Sequence, residues 1–129
     1  MDLGLAGKRF VVGGGSRGLG RAVAEELVRE GARVLLVARD DDAVRRAAAQ
    51  LGPDAYPLAA DLGTAEGVDA VNAAVAITFG QVDGALVNVG GPAAGNALDL
   101  ADEEWQRAYD LLVGMPIRLL RDLEPQLAH

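Results

Sequence analysis

The chain contains no cysteine, and its single histidine is the final residue, His129. Without thiols there is no disulfide, no thiolate metal site and no cysteine nucleophile. A histidine at the last position leaves no nucleophile–base pair of the common kinds. Serine and lysine occur once each, as Ser16 and Lys8. The net charge is −7, which argues against general affinity for nucleic acid or anionic membrane. No apolar run is long enough to span a bilayer, and the first residues lack the charged-then-apolar pattern of a signal. No membrane or nucleic-acid partner is therefore expected, and a cytoplasmic location is. Two carboxylate clusters, Asp40-Asp41-Asp42 and Glu103-Glu104, fall where first turns of helices favour negative charge. Hard cations need convergent oxygens rather than adjacent ones, so no metal site is expected.

What is present is concentrated near the start. An apolar strand, Arg9 to Gly13, runs into a glycine-rich turn and then into a helix, with glycines at 13, 14, 15, 18 and 20. Glycine allows positive φ and close backbone approach, and the first N–H groups of a helix are unpaired. Together they make a phosphate-binding turn. Gly13, Gly15 and Gly18 satisfy G-x-G-x-x-G in the strand–turn–helix context that gives this pattern meaning. At 129 residues, half of them apolar and a quarter charged, the chain reads as one globular domain spanning residues 1–129.

Strand and helix signals alternate from there. The first helix, Leu19 to Glu30, is expected to turn Leu19, Ala22, Val23 and Leu27 inward, with Gly31 as its stop. Ala32 to Ala38 is nearly all apolar, as in a strand covered on both faces. Asp40 caps a helix carrying Val44, Ala47, Ala48 and Leu51 at helical spacing, ended by Gly52-Pro53. Ala55 to Ala60 is a third strand. Thr64 opens a helix with Val68, Val71, Val75 and Phe79 inward. Val82 to Val89 is a fourth strand, Gly90 to Gly95 a loop, and Asp102 to Leu123 a last helix kinked at Pro116. Such alternation demands an α/β, Rossmann-like, doubly wound parallel sheet with right-handed crossovers. Its ligands bind beyond the carboxyl ends of the strands, where the glycine turn, Arg39, Asp61 and Asn88 all fall.

In its motifs the chain resembles the short-chain dehydrogenase/reductase family. Gly14, Gly18 and Gly20 match the glycines of the family's T-G-x-x-x-G-x-G turn, with Gly13 in place of the threonine. The segment from Gly14 to Ala24 is similar to that of bacterial 3-oxoacyl-carrier-protein reductase-like members. Ala60-Asp61-Leu62 resembles the short acidic motif after the third strand, and Asn88-Val89-Gly90-Gly91 the N-N-A-G motif after the fourth. Trp105 resembles a tryptophan near the start of the next helix. The resemblance implies a dinucleotide held by Gly14, Ser16, Arg17, Gly18, Leu19, Gly20, Arg39, Asp61, Leu62, Asn88 and Gly90. An NAD-type site puts a carboxylate at the end of the second strand, where this chain has Ala38. Arg17 and Arg39 can instead flank a 2′-phosphate with charge-assisted hydrogen bonds, so NADP is expected over NAD. Asp40, Asp41 or Asp42 as a ribose ligand is the competing reading. Asp61 can meet the adenine or cap the turn before Thr64. Asn88 can touch the cofactor or tie loops together.

The family's serine, tyrosine and lysine have no counterpart. Ser16 lies in the glycine turn and Lys8 precedes the first strand. Tyr56 and Tyr109 are followed four residues later by Ala60 and Val113, and the asparagine expected seven residues after the tryptophan is Leu112. No catalytic residue is assigned. The ending from Glu124 to His129 resembles the turn before a fifth strand, so about four strands of a truncated fold are expected, inactive alone. The alternatives are one piece of a two-chain reductase and a non-catalytic nucleotide-binding or scaffold module. The fourth strand's edge and the last helix, apolar on more than one face through Leu111, Leu112, Val113, Met115, Ile117, Leu119, Leu120 and Leu123, suggest a homo-oligomer or a complementing chain.

Overall fold

The computed structural model describes residues 1–128. Four strands, β1 (Arg9–Gly13), β2 (Arg33–Ala38), β3 (Ala55–Ala59) and β4 (Gly84–Leu86), form one sheet in the order β3-β2-β1-β4. Every pairing is parallel, with Val12 opposite Leu36 on one side and Leu86 on the other. The helices are α1 (Gly18–Arg29), α2 (Asp41–Leu51), α3 (Ala65–Thr78), α4 (Asp102–Tyr109) and α5 (Met115–Leu123).

The apolar run of β2 has a simple cause. Alternate residues of a strand face opposite sides, and both sides are covered. Val11, Leu35 and Val37 pack with Val68, Val71 and Val75 of α3 and Leu119 and Leu123 of α5. Val12, Val34 and Leu36 pack with Ala24 of α1 and Val44, Ala47 and Ala48 of α2. Each fully buried Val or Leu contributes about 1.5–3 kcal/mol of transfer free energy, which is what fixes the register of the two central strands. The caps expected of α2 and α3 form as well. The Ala43 N–H donates to Asp40 Oδ1 at 2.9 Å, and the Gly67 N–H donates to Thr64 Oγ1 at 3.0 Å.

Three expectations are corrected. In α1 the buried residues are Gly20 and Ala24, while Leu19, Ala22 and Val23 are exposed. The helix lies so close to the glycine turn that a Cβ on Gly20 would stand 2.8 Å from the Gly13 carbonyl oxygen. Close approach selects the small face at this end of the helix, so Leu19 and Val23 turn outward, while Leu27, expected inward, does pack against the core. The fourth strand is shorter than Val82–Val89. Only Gly84–Leu86 joins the ladder, although Val87 and Val89 still pack against the core. The last helix is two helices joined by a wide π-turn, Asp110–Gly114. Pro116 lacks the N–H that a continuous helix would direct at the Leu112 carbonyl, and its ring crowds that carbonyl. The wider turn, with Gly114 at its end, accommodates both.

The outer edge of β4 is not wholly bare. Val82 forms a parallel bridge with Leu127. Its N–H donates to the Gln126 carbonyl and its carbonyl accepts from the Ala128 N–H, both at 2.8 Å. No helix among the described residues is long and apolar enough to cross a membrane.

Candidate functional site

The strand order reverses between β1 and β4, and a cleft of about 740 Å³ opens at the carboxyl ends of the strands there. That is where open α/β sheets place their ligands. The turn after β1 forms its base. Gly14 and Gly18 both sit at φ +59°, in the region that favours glycine. The Gly15 N–H donates to the Val37 carbonyl at 2.9 Å, and Gly15 itself lies against Leu36. The turn is thereby pinned to the end of β2.

The start of α1 differs from the starts of the other helices that rise from loops. Asp40 caps α2, Thr64 caps α3, and Glu104 Oε2 accepts from the Ala101 N–H at the head of α4. Helix α1 has no side-chain cap and no acidic residue in its first turn. Its first internal donor is the Arg21 N–H, bonded to the Arg17 carbonyl at 3.3 Å. The N–H groups of Gly18, Leu19 and Gly20 precede it. A helix end left without caps needs another acceptor, and its dipole favours an anion.

Arg17 and Arg39 line the cleft. Neither makes a hydrogen bond or ion pair among the described residues, although most of the other arginines do. Arg39 extends toward the β4 exit, with Nη2 3.9 Å from where a Cβ on Gly90 would stand. Ala38 also lines the cleft, and no carboxylate replaces it at the end of β2. Of the three competing aspartates, Asp40 lines the cleft, with one carboxylate oxygen, Oδ1, engaged as the α2 cap. Asp41 pairs with Arg45 at 2.9 Å, and neither it nor Asp42 is among the lining residues.

Asp61 carries both of its expected features. Its Oδ1 accepts from the Gly63 N–H at 2.9 Å, and its carbonyl accepts from Thr64 Oγ1 at 2.9 Å. It also lines the cleft, and its second carboxylate oxygen accepts no hydrogen bond among the described residues. Leu62 beside it is buried in the core and forms part of the same wall. Asn88 lines the cleft, and its amide makes no hydrogen bond among the described residues, so the loop-tying alternative lacks the contacts it needs. Ser16, Leu19 and Gly90 line the cleft too. Gly20 does not. It is a spacer pressed beneath the carbonyls of Gly13 and Gly14.

Two residues went unseen in the sequence. Leu111, from the π-turn, closes the far wall and lies against Gly63, where a Cβ would stand 3.2 Å from its Cδ1. Gly67 lies directly on the Asp61 carbonyl, with no room for any side chain. A glycine in the first turn of α3 was the one signal for Gly67, and nothing local marked Leu111. Among the described residues no three His, Cys, Asp or Glu side chains converge as a metal site.

A parallel sheet with helices on both faces and a glycine turn feeding an uncapped helix at the strand-order reversal defines a Rossmann-type nucleotide fold. Within that class the chain belongs to the short chain dehydrogenase family, whose pattern matches residues 8–128. It is 32% identical over 126 residues to an uncharacterized oxidoreductase of Bacillus subtilis, covering 94% of this chain and 46% of that protein. With the 3-oxoacyl-[acyl-carrier-protein] reductase of Vibrio cholerae it shares 36% identity over 102 residues, 78% of this chain and 41% of the reductase. Among solved structures, the L-sorbose reductase of Gluconobacter frateurii, complexed with NADPH and L-sorbose, superposes with a TM-score of 0.93 at 40% identity. That match covers 98% of this chain and 50% of the reductase. The chain thus spans about half the length of the relatives it matches.

Proposed function

We propose that this chain is the cofactor-holding part of a short-chain oxidoreductase, and that it takes NADP in preference to NAD. The observation that carries this reading is the start of α1, uncapped and free of acid, beside two arginines that make no hydrogen bond or ion pair among the described residues. The three free N–H groups of α1 suit a pyrophosphate. Arg17 and Arg39 suit a 2′-phosphate, which guanidinium forks bind with charge-assisted bonds. Asp61 would accept from the adenine amino group with its second carboxylate oxygen, and Leu62 and Leu111 would flank the base. The related L-sorbose reductase binds NADPH, whereas a 3-ketoacyl-(acyl-carrier-protein) reductase of Brucella melitensis, 34% identical, is complexed with NADH. The family fold therefore accommodates both, and the residues after β2 favour NADP.

When bound, the nicotinamide supplies hydride chemistry. Residues 1–129 supply binding and orientation, and they hold no tyrosine–lysine pair at helical spacing to move the substrate proton. Turnover by this chain alone is not expected, and the proton donor would come from polypeptide outside residues 1–129. The outer face of α4 and α5 exposes Trp105, Tyr109, Leu112, Ile117 and Leu120. We read this face as the surface that pairs with a second copy, as the family resemblance suggests.

Calorimetric titration with NADPH and NADH tests the cofactor reading. NADPH is expected to bind more tightly, with an affinity that falls as salt screens the arginines. In Arg39→Ala the preference should narrow toward equality. Equal affinities in the unmodified chain, unchanged in Arg39→Ala, would remove the argument.

A further inference from the structure

We propose that this chain recognises the 2′-phosphorylated ADP-ribose part of the cofactor and draws no distinction between the oxidised and the reduced nicotinamide. Its ligands are then defined by that part alone, whether or not a nicotinamide is attached. The inference rests on the cofactor reading and goes beyond it, because an enzyme that moves hydride must also engage the ring.

The strand order β3-β2-β1-β4 lays the cleft out from one end to the other. Asp61 follows β3 and Arg39 follows β2, where they address the base and the 2′-phosphate. The N–H groups at the start of α1 follow β1 and address the pyrophosphate. The exit of β4 is left for the nicotinamide. There the cleft is lined by Val89, Gly90 and Gly91, none of which has a side-chain donor or acceptor. Even Gly90 belongs to the adenosine side, since Arg39 Nη2 lies 3.9 Å from where its Cβ would stand. The amide of Asn88 is turned away from that exit. Its Nδ2 would be 2.7 Å from a Cβ on Gly14, which places it over the glycine turn.

The oxidised ring is a cation and the reduced ring is neutral. Reading that difference takes a carboxylate beside the ring, or a closed apolar slot that penalises the charge. The carboxylates of the cleft, Asp40 and Asp61, stand after β2 and β3 instead. Leu19 also lines the cleft, but at 80% exposure it is an open apolar surface and not a slot. Salt screens the more distant charges. The ring therefore stays in water in either state, and the binding energy resides in the adenosine and the phosphates.

The test is calorimetric titration of the unmodified chain with NADP⁺, NADPH, ADP-ribose and 2′-phospho-ADP-ribose, which is NADP without its nicotinamide. The affinities for NADP⁺, NADPH and 2′-phospho-ADP-ribose are expected to agree within about threefold. ADP-ribose should bind more weakly than 2′-phospho-ADP-ribose by the same factor that separates NADH from NADPH, as for independent contributions. Leu19→Ala should change the affinities for NADPH and 2′-phospho-ADP-ribose alike. A larger difference between NADPH and NADP⁺, or between NADPH and 2′-phospho-ADP-ribose, would overturn the proposal. So would a loss in Leu19→Ala confined to NADPH. In each of these cases NADPH still binds, and the cofactor reading survives. If NADPH and NADH bind equally, the preference for NADP fails, and the comparison of NADP⁺ with NADPH still decides this inference. If none of the ligands binds, both readings fall together.

Discussion

Single residues at strand ends set how closely the elements of this fold approach. Gly67 illustrates the energetics. It lies on the Asp61 carbonyl inside a turn held by Thr64 Oγ1 and the Gly63 N–H. Gly67→Ala would drive a methyl group into backbone, so thermal denaturation should show a loss of about 1–3 kcal/mol, the range for overpacking. A melting temperature equal to that of the unmodified chain would mean that the turn has slack the structure does not show. Asp83 makes a different kind of contact. Burial pushes its carboxyl upward. The hydrogen bonds from the Arg9 side chain and backbone and the charges of Arg9 and Lys8 outweigh this, and hold it below its ordinary 3.8. A carboxyl lowered in the folded state stabilises fully above its unfolded value, and the gain disappears as pH falls through the folded one. The unmodified chain should therefore exceed Asp83→Asn in stability at neutral pH, with the gap closing below about pH 4. Chemical denaturation across pH checks this, and a gap that persists or widens in acid contradicts it.

At the scale of elements, α1 shows how a helix chooses its buried face. Leu19 and Val23 are turned to solvent, Ala24 is fully buried against the sheet, and Leu27 and Val28 pack partly buried against the same core. Val23→Lys should change stability by no more than about 0.5 kcal/mol, as for surface positions generally. Ala24→Leu should cost about 1–3 kcal/mol through overpacking. Urea denaturation of the two variants distinguishes the faces, and the opposite ranking would restore the face that hydrophobic periodicity alone suggests. The same logic applies to α5. Leu119 and Leu123 are buried against α3 and the sheet, while Ile117 and Leu120 face outward. Leu119, apolar like its neighbours in sequence, thus belongs to the core and not to any pairing surface.

For the whole molecule, the question is what covers the outer face of α4 and α5. Large exposed apolar patches are uncommon on stable monomers, and our reading is that a second copy pairs there. Light scattering over a hundredfold range of concentration, roughly what moves a micromolar equilibrium, should show self-association. Leu120→Glu should shift it toward monomer without loss of secondary structure, because Leu120 is half exposed. A monodisperse monomer throughout would falsify the pairing. The open part of the β4 edge is short, only Gly84–Leu86, with the bridge to Leu127 below it. It therefore offers less to a partner than the helix face does.

The order of strands and helices, the glycine turn, the caps at Asp40 and Thr64 and the double-sided burial of β2 were legible in the sequence. Each depends on residues close together in the chain, through periodicity, capping or the conformational freedom of glycine. So were the positions of Arg17, Arg39, Asp61 and Asn88, because strand ends in a parallel α/β fold share one edge. Only the tertiary structure decided the rest. The inner face of α1 follows from the contact of Gly20 with the glycine turn. The early end of β4 goes with the Asn88 backbone lying over Gly13, far away in sequence. Leu111 reaches the cleft because the helix widens ahead of Pro116 and lies against Gly63. These are contacts between segments distant in sequence, and their energies depend on how closely two backbones approach, which no local pattern of hydrophobicity records.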